Sequence, residues 1–124
     1  MAQTYNMQLD QGSTYTMSVV YEEPDPAGGP GNTPIDLTGY EARMQVRESV
    51  GSTTILAEFT SAPVAGIVIT PLDGLVELTV TSDQTAAYTF INAVYDLEVY
   101  DASLPPDVTR LVQGRFLVNK EVTR

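Results

Sequence analysis

The chain has 124 residues, 16 acidic and 6 basic side chains, a formal charge of −10, and no Cys, His or Trp. That inventory excludes a disulfide framework, a thiolate or imidazole metal site and a histidine-activated nucleophile. It also lacks the basic stripe that displaces phosphate counterions, so nucleic acid is not an expected partner.

Alternation of apolar and polar residues between turn signals predicts strands along the whole chain. The first covers about Thr4 to Leu9 and closes at Asp10-Gln11-Gly12-Ser13. The second runs from Thr14 to Glu22, with Tyr15, Met17, Val19 and Tyr21 on one face. Residues 23–34 hold four of the eight prolines and are predicted to be a long exposed loop that supports neither helix nor ladder. A third strand, Tyr40 to Glu48, is predicted to bury Ala42, Met44 and Val46 and to show Arg43, Gln45 and Arg47. After a turn at Val50-Gly51-Ser52, Thr54 to Thr60 alternates Ile55, Ala57 and Phe59 with Leu56 and Glu58.

Gly66 to Thr70 and Leu75 to Thr81 form a predicted hairpin through Pro71-Leu72-Asp73-Gly74, since glycine accepts positive φ without a steric penalty. Ser82 to Tyr88 is the single predicted helical turn, with Ser82 as candidate N-cap. Ala93 to Asp101 and Val108 to Val118 complete the set. Seven to eight strands at this spacing predict an all-β chain, an antiparallel β-sandwich or barrel of Greek-key type, in one domain spanning 1–124. No apolar run is long enough for a membrane helix. The N-terminus lacks the basic-then-apolar order of a leader, so a product made in the cytoplasm is expected.

Carboxylates are the abundant reactive groups, and each cluster has a plain reading. Glu22, Glu23 and Asp25 offer oxygens to calcium, yet match no calcium-loop spacing, and a solvated loop explains them. Asp96 and Glu98 project from one strand face as a glycosidase pair would, and a solvent-facing stripe explains that spacing too. Gly28, Gly29 and Gly31 do not follow a phosphate-loop fingerprint, and Lys120 has no desolvating context. No catalytic residue, cofactor or metal is expected, and function is placed in the surface. The candidate interface residues are Thr4, Tyr5, Met7 and Leu9 in a possible assembly arm over residues 1–10, Pro24, Pro26 and Pro30 in the loop, and Tyr88 and Tyr100. Tyrosine belongs in that set because it is large, rigid and amphipathic.

One stretch is more specific: Thr33-Pro34-Ile35-Asp36-Leu37-Thr38-Gly39-Tyr40-Glu41-Ala42-Arg43-Met44-Gln45-Val46-Arg47. It resembles a segment of small tailed-bacteriophage structural proteins, similar to the N-terminal domain of the lactococcal-phage baseplate upper protein. Gln11-Gly12-Ser13-Thr14-Tyr15, Ala93-Val94-Tyr95-Asp96-Leu97-Glu98 and Val108-Thr109-Arg110-Leu111-Val112-Gln113-Gly114-Arg115-Phe116 resemble that family's flanking strands in order. The resemblance implies an immunoglobulin-like sandwich and a virion component made in the bacterial host cytoplasm. The implied role is an adaptor of the tail, baseplate or fibre apparatus, acting in a homo-oligomer or symmetric multicopy assembly with other virion proteins. Ala2 to Leu9 would add a strand to a neighbour's open edge. Capsid decoration, against the major capsid protein, is the alternative, and a carbohydrate-binding module is a third reading that requires exposed coplanar aromatics. The family's chain continues into a helical or fibre-like region, whereas this one ends at Arg124 and is expected to act as the whole module. The Pro/Gly loop is longer than the family's short turn.

Overall fold

The alternating segments become two sheets packed face to face in a computed structural model of the protein, which describes residues 3–24, 28, 31–62, 64–101 and 107–120. The strands are β1 (Gln3–Thr4), β2 (Met7–Asp10), β3 (Tyr15–Val20), β4 (Glu22–Pro24), β5 (Asn32–Pro34), β6 (Tyr40–Arg47), β7 (Ile55–Thr60), β8 (Ile67–Thr70), β9 (Leu75–Val80), β10 (Asn92–Asp101) and β11 (Asp107–Asn119). One sheet runs β1-β11-β10-β6-β7, with β2 also on β11, and the other runs β3-β9-β8. Both β1 and β2 lie parallel to β11, while the remaining pairs of the two sheets are antiparallel. This is an immunoglobulin-like β-sandwich, and eight of the strands have four or more residues.

The core is one cluster fed from both sheets. Met44, Val46, Leu97, Val99 and Phe116 face Met17, Val76, Leu78 and Val80 across the interior. Each fully buried side chain of this size contributes about 1.5–3 kcal/mol. In β6 the pattern is as predicted, with Ala42, Met44 and Val46 inside. Two bulges modify the period. Val46 pairs Ala57 but Arg47 pairs Ile55, so Leu56 is the extra residue; it packs against the core while Ile55 is exposed. Leu97 pairs Val112 but Glu98 pairs Arg110, which lets consecutive Leu111 and Val112 both be buried.

The connection into β6 is built by its own side chains. The Asp36 carboxylate accepts from the Thr38 backbone N–H at 2.9 Å and the Thr38 hydroxyl at 2.5 Å, and these bonds lower its pKa. Leu37 plugs the end of the core, its N–H donating to the Pro71 carbonyl. Gly74 closes the β8–β9 turn with φ 58°, and a Cβ there would meet the Tyr21 and Ile35 carbonyl oxygens at 2.7 and 2.8 Å. Glycine is therefore required twice over at this turn.

Two expectations are corrected. Residues 23–34 do carry a ladder: Glu22 pairs Pro34, Glu23 pairs Thr33 and Pro24 pairs Asn32. An isolated two-strand hairpin tolerates proline because its outward positions need no N–H. The helix α1 (Ser82–Ala87) is capped by Thr81, not Ser82. Thr81 Oγ1 accepts from the Gln84 N–H while the Gln84 side chain accepts from the Thr81 N–H, a reciprocal capping box. Ser82 already has helical geometry and lies one residue too late.

Candidate assembly surface

The N-terminal strand is held at Tyr5 and Asn6, between β1 and β2. The Tyr5 N–H donates to the Gln113 carbonyl at 2.9 Å, the Arg115 N–H donates to Asn6 Oδ1 at 3.1 Å, and the Tyr95 hydroxyl donates to the Tyr5 carbonyl at 2.7 Å. Gly114 makes this possible, because the Tyr5 backbone crosses where its Cβ would stand. Tyr15 is hydrogen-bonded to the Tyr5 side chain, and burial followed by this contact raises its phenol above the ordinary 10.0. Burial and the nearby Tyr5 do the same to Tyr95. Three tyrosines thus close one rim of the sandwich.

Beside that rim lies a ladder edge. Among the described residues β3 has β9 as its one strand partner. The Tyr21 N–H donates to the Gly74 carbonyl at 2.8 Å, directly extending the Val20–Leu75 register. Antiparallel bonding alternates, so Tyr15, Met17 and Val19 face β9 with their backbone groups. Thr16, Ser18 and Val20 turn theirs outward. A groove of about 430 Å³ runs along this edge between β1 and β3, with Met17, Val19 and Val112 among its walls. No residue from Ser13 to Tyr21 is charged, so no charge on the strand itself guards the edge against another strand.

The outer face of the larger sheet is a cross-strand polar network. Arg43 Nε lies 2.5 Å from Glu98 and its guanidinium sits 4.5 Å over the Tyr100 ring. Gln45 Nε2 donates to Glu58 at 2.8 Å, Arg47 donates to the Ser52 carbonyl at 2.7 Å and to Gln45 Oε1 at 2.8 Å, and Arg110 Nε is 3.5 Å from Asp96. Asp96 and Glu98 therefore each sit beside an arginine on an open face, an arrangement suited to neutralising charge rather than to flanking a bond. Between β11, β10 and β6 opens a groove of about 520 Å³, with Arg47, Arg110 and Arg115 in its walls and Asp96 as its one carboxylate.

The predicted interface residues separate into groups. Thr4 is exposed and Tyr5 is 51% exposed, whereas Met7 and Leu9 are 0% exposed. The last two are corrected: they register with Phe116 and Val118 and fill the chain's own core, since every second residue of a strand beside a sandwich must point inward. Pro24 ends β4, and Pro26 and Pro30 lie outside the described residues. Tyr88 is half-buried against Phe90 and Phe116, with ring centroids 5.0 and 5.8 Å away, and burial raises its pKa. Tyr100 is occupied by Arg43. Asp25 of the acidic trio is also undescribed, and no cluster of three or more carboxylates able to hold a metal occurs among the described residues. Sequence reasoning missed buried Thr85, whose hydroxyl donates to the Ser13 carbonyl at 2.9 Å and accepts from the Gly12 N–H at 3.0 Å. Lys120 is exposed, in keeping with its lack of a desolvating context, and the bond it donates to the Tyr88 carbonyl at 2.9 Å was missed. No local signal marks either, because each joins distant segments. The sequence matches no known family model, and no curated protein matches it.

Proposed function

We propose that the chain is a non-catalytic structural module of a bacteriophage virion, an adaptor that joins neighbours in the tail, baseplate or fibre apparatus. The observation that carries this reading is the uncharged edge of β3. It offers the backbone groups of Thr16, Ser18 and Val20 beside a groove of mixed polar and apolar lining, a geometry that can receive an added strand. The resemblance carried by Thr33 to Arg47 supplies the virion context. In this assignment the receiving edge is β3, and the N-terminal segment serves its own sheet through Met7 and Leu9.

The test has two parts. Phage particles from the culture that makes this chain are purified and reconstructed by cryo-EM, and the chain's density is located. Density at the tail, baseplate or fibre attachment supports the adaptor; density on the head lattice moves it to capsid decoration; absence from the particles overturns the virion reading. Ser18→Pro removes one outward N–H and leaves the β9 ladder intact, so the variant should fold, lose less than about 1 kcal/mol, and fail to incorporate. Incorporation at parental levels would dismiss β3 as the joining edge.

A further inference from the structure

Among the described residues, a group of carboxylates lies at one end of β6 and a groove with three arginines lies toward the other. β6 runs from Tyr40, opposite Asp101, to Arg47, opposite Val94. Its eight residues span about 24 Å. Around the Tyr40 end gather Glu22, Glu23, Asp36 and Asp73, on the β4–β5 hairpin, the turn into β6 and the β8–β9 turn. These elements are tied together by the Tyr21–Gly74, Ile35–Tyr21 and Leu37–Pro71 backbone bonds. None of the four carboxylates forms an ion pair among the described residues.

Toward the other end lies the 520 Å³ groove with Arg47, Arg110 and Arg115, half of the chain's basic residues, against Asp96 alone. Arg47 and Arg110 are committed to neighbours within the sheet. Arg115 is exposed and forms no ion pair among the described residues.

We propose that this groove receives the acidic end of a second copy of the chain, with Arg115 pairing Glu22 or Glu23 of the incoming copy. Groove and acidic end are different surfaces, so the contact is heterologous and repeats head to tail, closing a ring or extending a row. The net charge of −10 does not forbid it. The Debye length is ~10 Å at ~0.1 M salt, shorter than the distance between the ends, so local complementarity outweighs the remote charges. This extends the multicopy reading of the proposed function but rests on charge geometry. It is tested on the free chain, apart from any particle.

Sedimentation velocity of the full chain, up to on the order of 1 mM at ~0.1 M and ~1 M salt, should show association that is lost at the higher salt. Arg115→Glu and the double variant Glu22→Lys/Glu23→Lys change exposed positions and should keep the parent's circular dichroism. Each alone should associate on the order of tenfold more weakly or not at all. Mixed in equal amounts, they should regain association as alternating head-to-tail rows, because one variant's lysines fit the other's glutamate in the groove while the retained Arg115 receives the retained Glu22 and Glu23. Arg115→Gln should fall between parent and Arg115→Glu. A parent that stays monomeric, variants that associate as the parent does, or a mixture that behaves as the sum of its parts would each overturn the contact.

Discussion

Replacing Gly114 with alanine puts a methyl group where the backbone of Tyr5 already passes. The added Cβ would collide first with the Tyr5 carbonyl oxygen, then stand 2.8 Å from the Tyr5 carbonyl carbon and 3.1 Å from Asn6 Oδ1. Two of these atoms are backbone, so a rotamer change cannot relieve the clash. The N-terminal strand must withdraw, and three hydrogen bonds depend on its position: Tyr5 N–H to Gln113, Arg115 N–H to Asn6, and the Tyr95 hydroxyl to Tyr5. At about 1 kcal/mol net each, their loss costs about 3 kcal/mol. The lower entropy of an unfolded alanine returns about 0.4–1 kcal/mol. The expected loss is therefore about 2–3 kcal/mol, or a Tm lower by about 10 °C for a chain of this size. Urea unfolding followed by circular dichroism measures it, with Gly51→Ala as control, since an added Cβ there meets nothing within 4 Å. A Gly114→Ala variant within about 0.5 kcal/mol of the parent would refute the close crossing at Gly114.

Leu9→Ala removes a fully buried side chain of β2 and should cost about 3 kcal/mol in the same assay. A loss below about 1 kcal/mol would mean that residues 7–10 are not a native core strand. Tyr15, Tyr88 and Tyr95 all have phenols raised above their ordinary value of 10.0. The unfolded chain therefore ionises first, so stability from these groups is complete below pH 10 and falls as pH rises further. Tm followed across alkaline pH together with tyrosinate absorbance should be flat up to that point and then drop, and Tyr15→Phe should soften the drop. A Tm that begins falling well below pH 10 would point to another group.

The strands of this protein were legible in its residues because period-two patterning is local. Ala42, Met44 and Val46 announce one face of β6 without reference to anything else in the chain. The β8–β9 turn was equally legible, since Pro71 and Asp73-Gly74 carry their own backbone geometry. The candidate surface was not. Met7 and Leu9 alternate with polar neighbours as a free arm would, and the pattern alone does not say whose core they enter. Thr81 lost the cap to Ser82 in the sequence reading because both are good caps, and the reciprocal bond with Gln84 decides between them.

By itself, then, the sequence determined an acidic, all-β chain without histidine or cysteine, with each strand's apolar face marked by alternation. Tertiary structure alone decided who pairs with whom. It laid β2 along β11, set Asn6 against Arg115 at a separation of 109 positions, left β3 with one strand partner among the described residues, and drew three arginines to one groove while Glu22, Glu23, Asp36 and Asp73 gathered at the other end of β6. The physical reason is range. A side chain's inward or outward sense depends on its immediate neighbours, whereas register, edges and the sum of charges on a face depend on contacts between segments far apart in the chain.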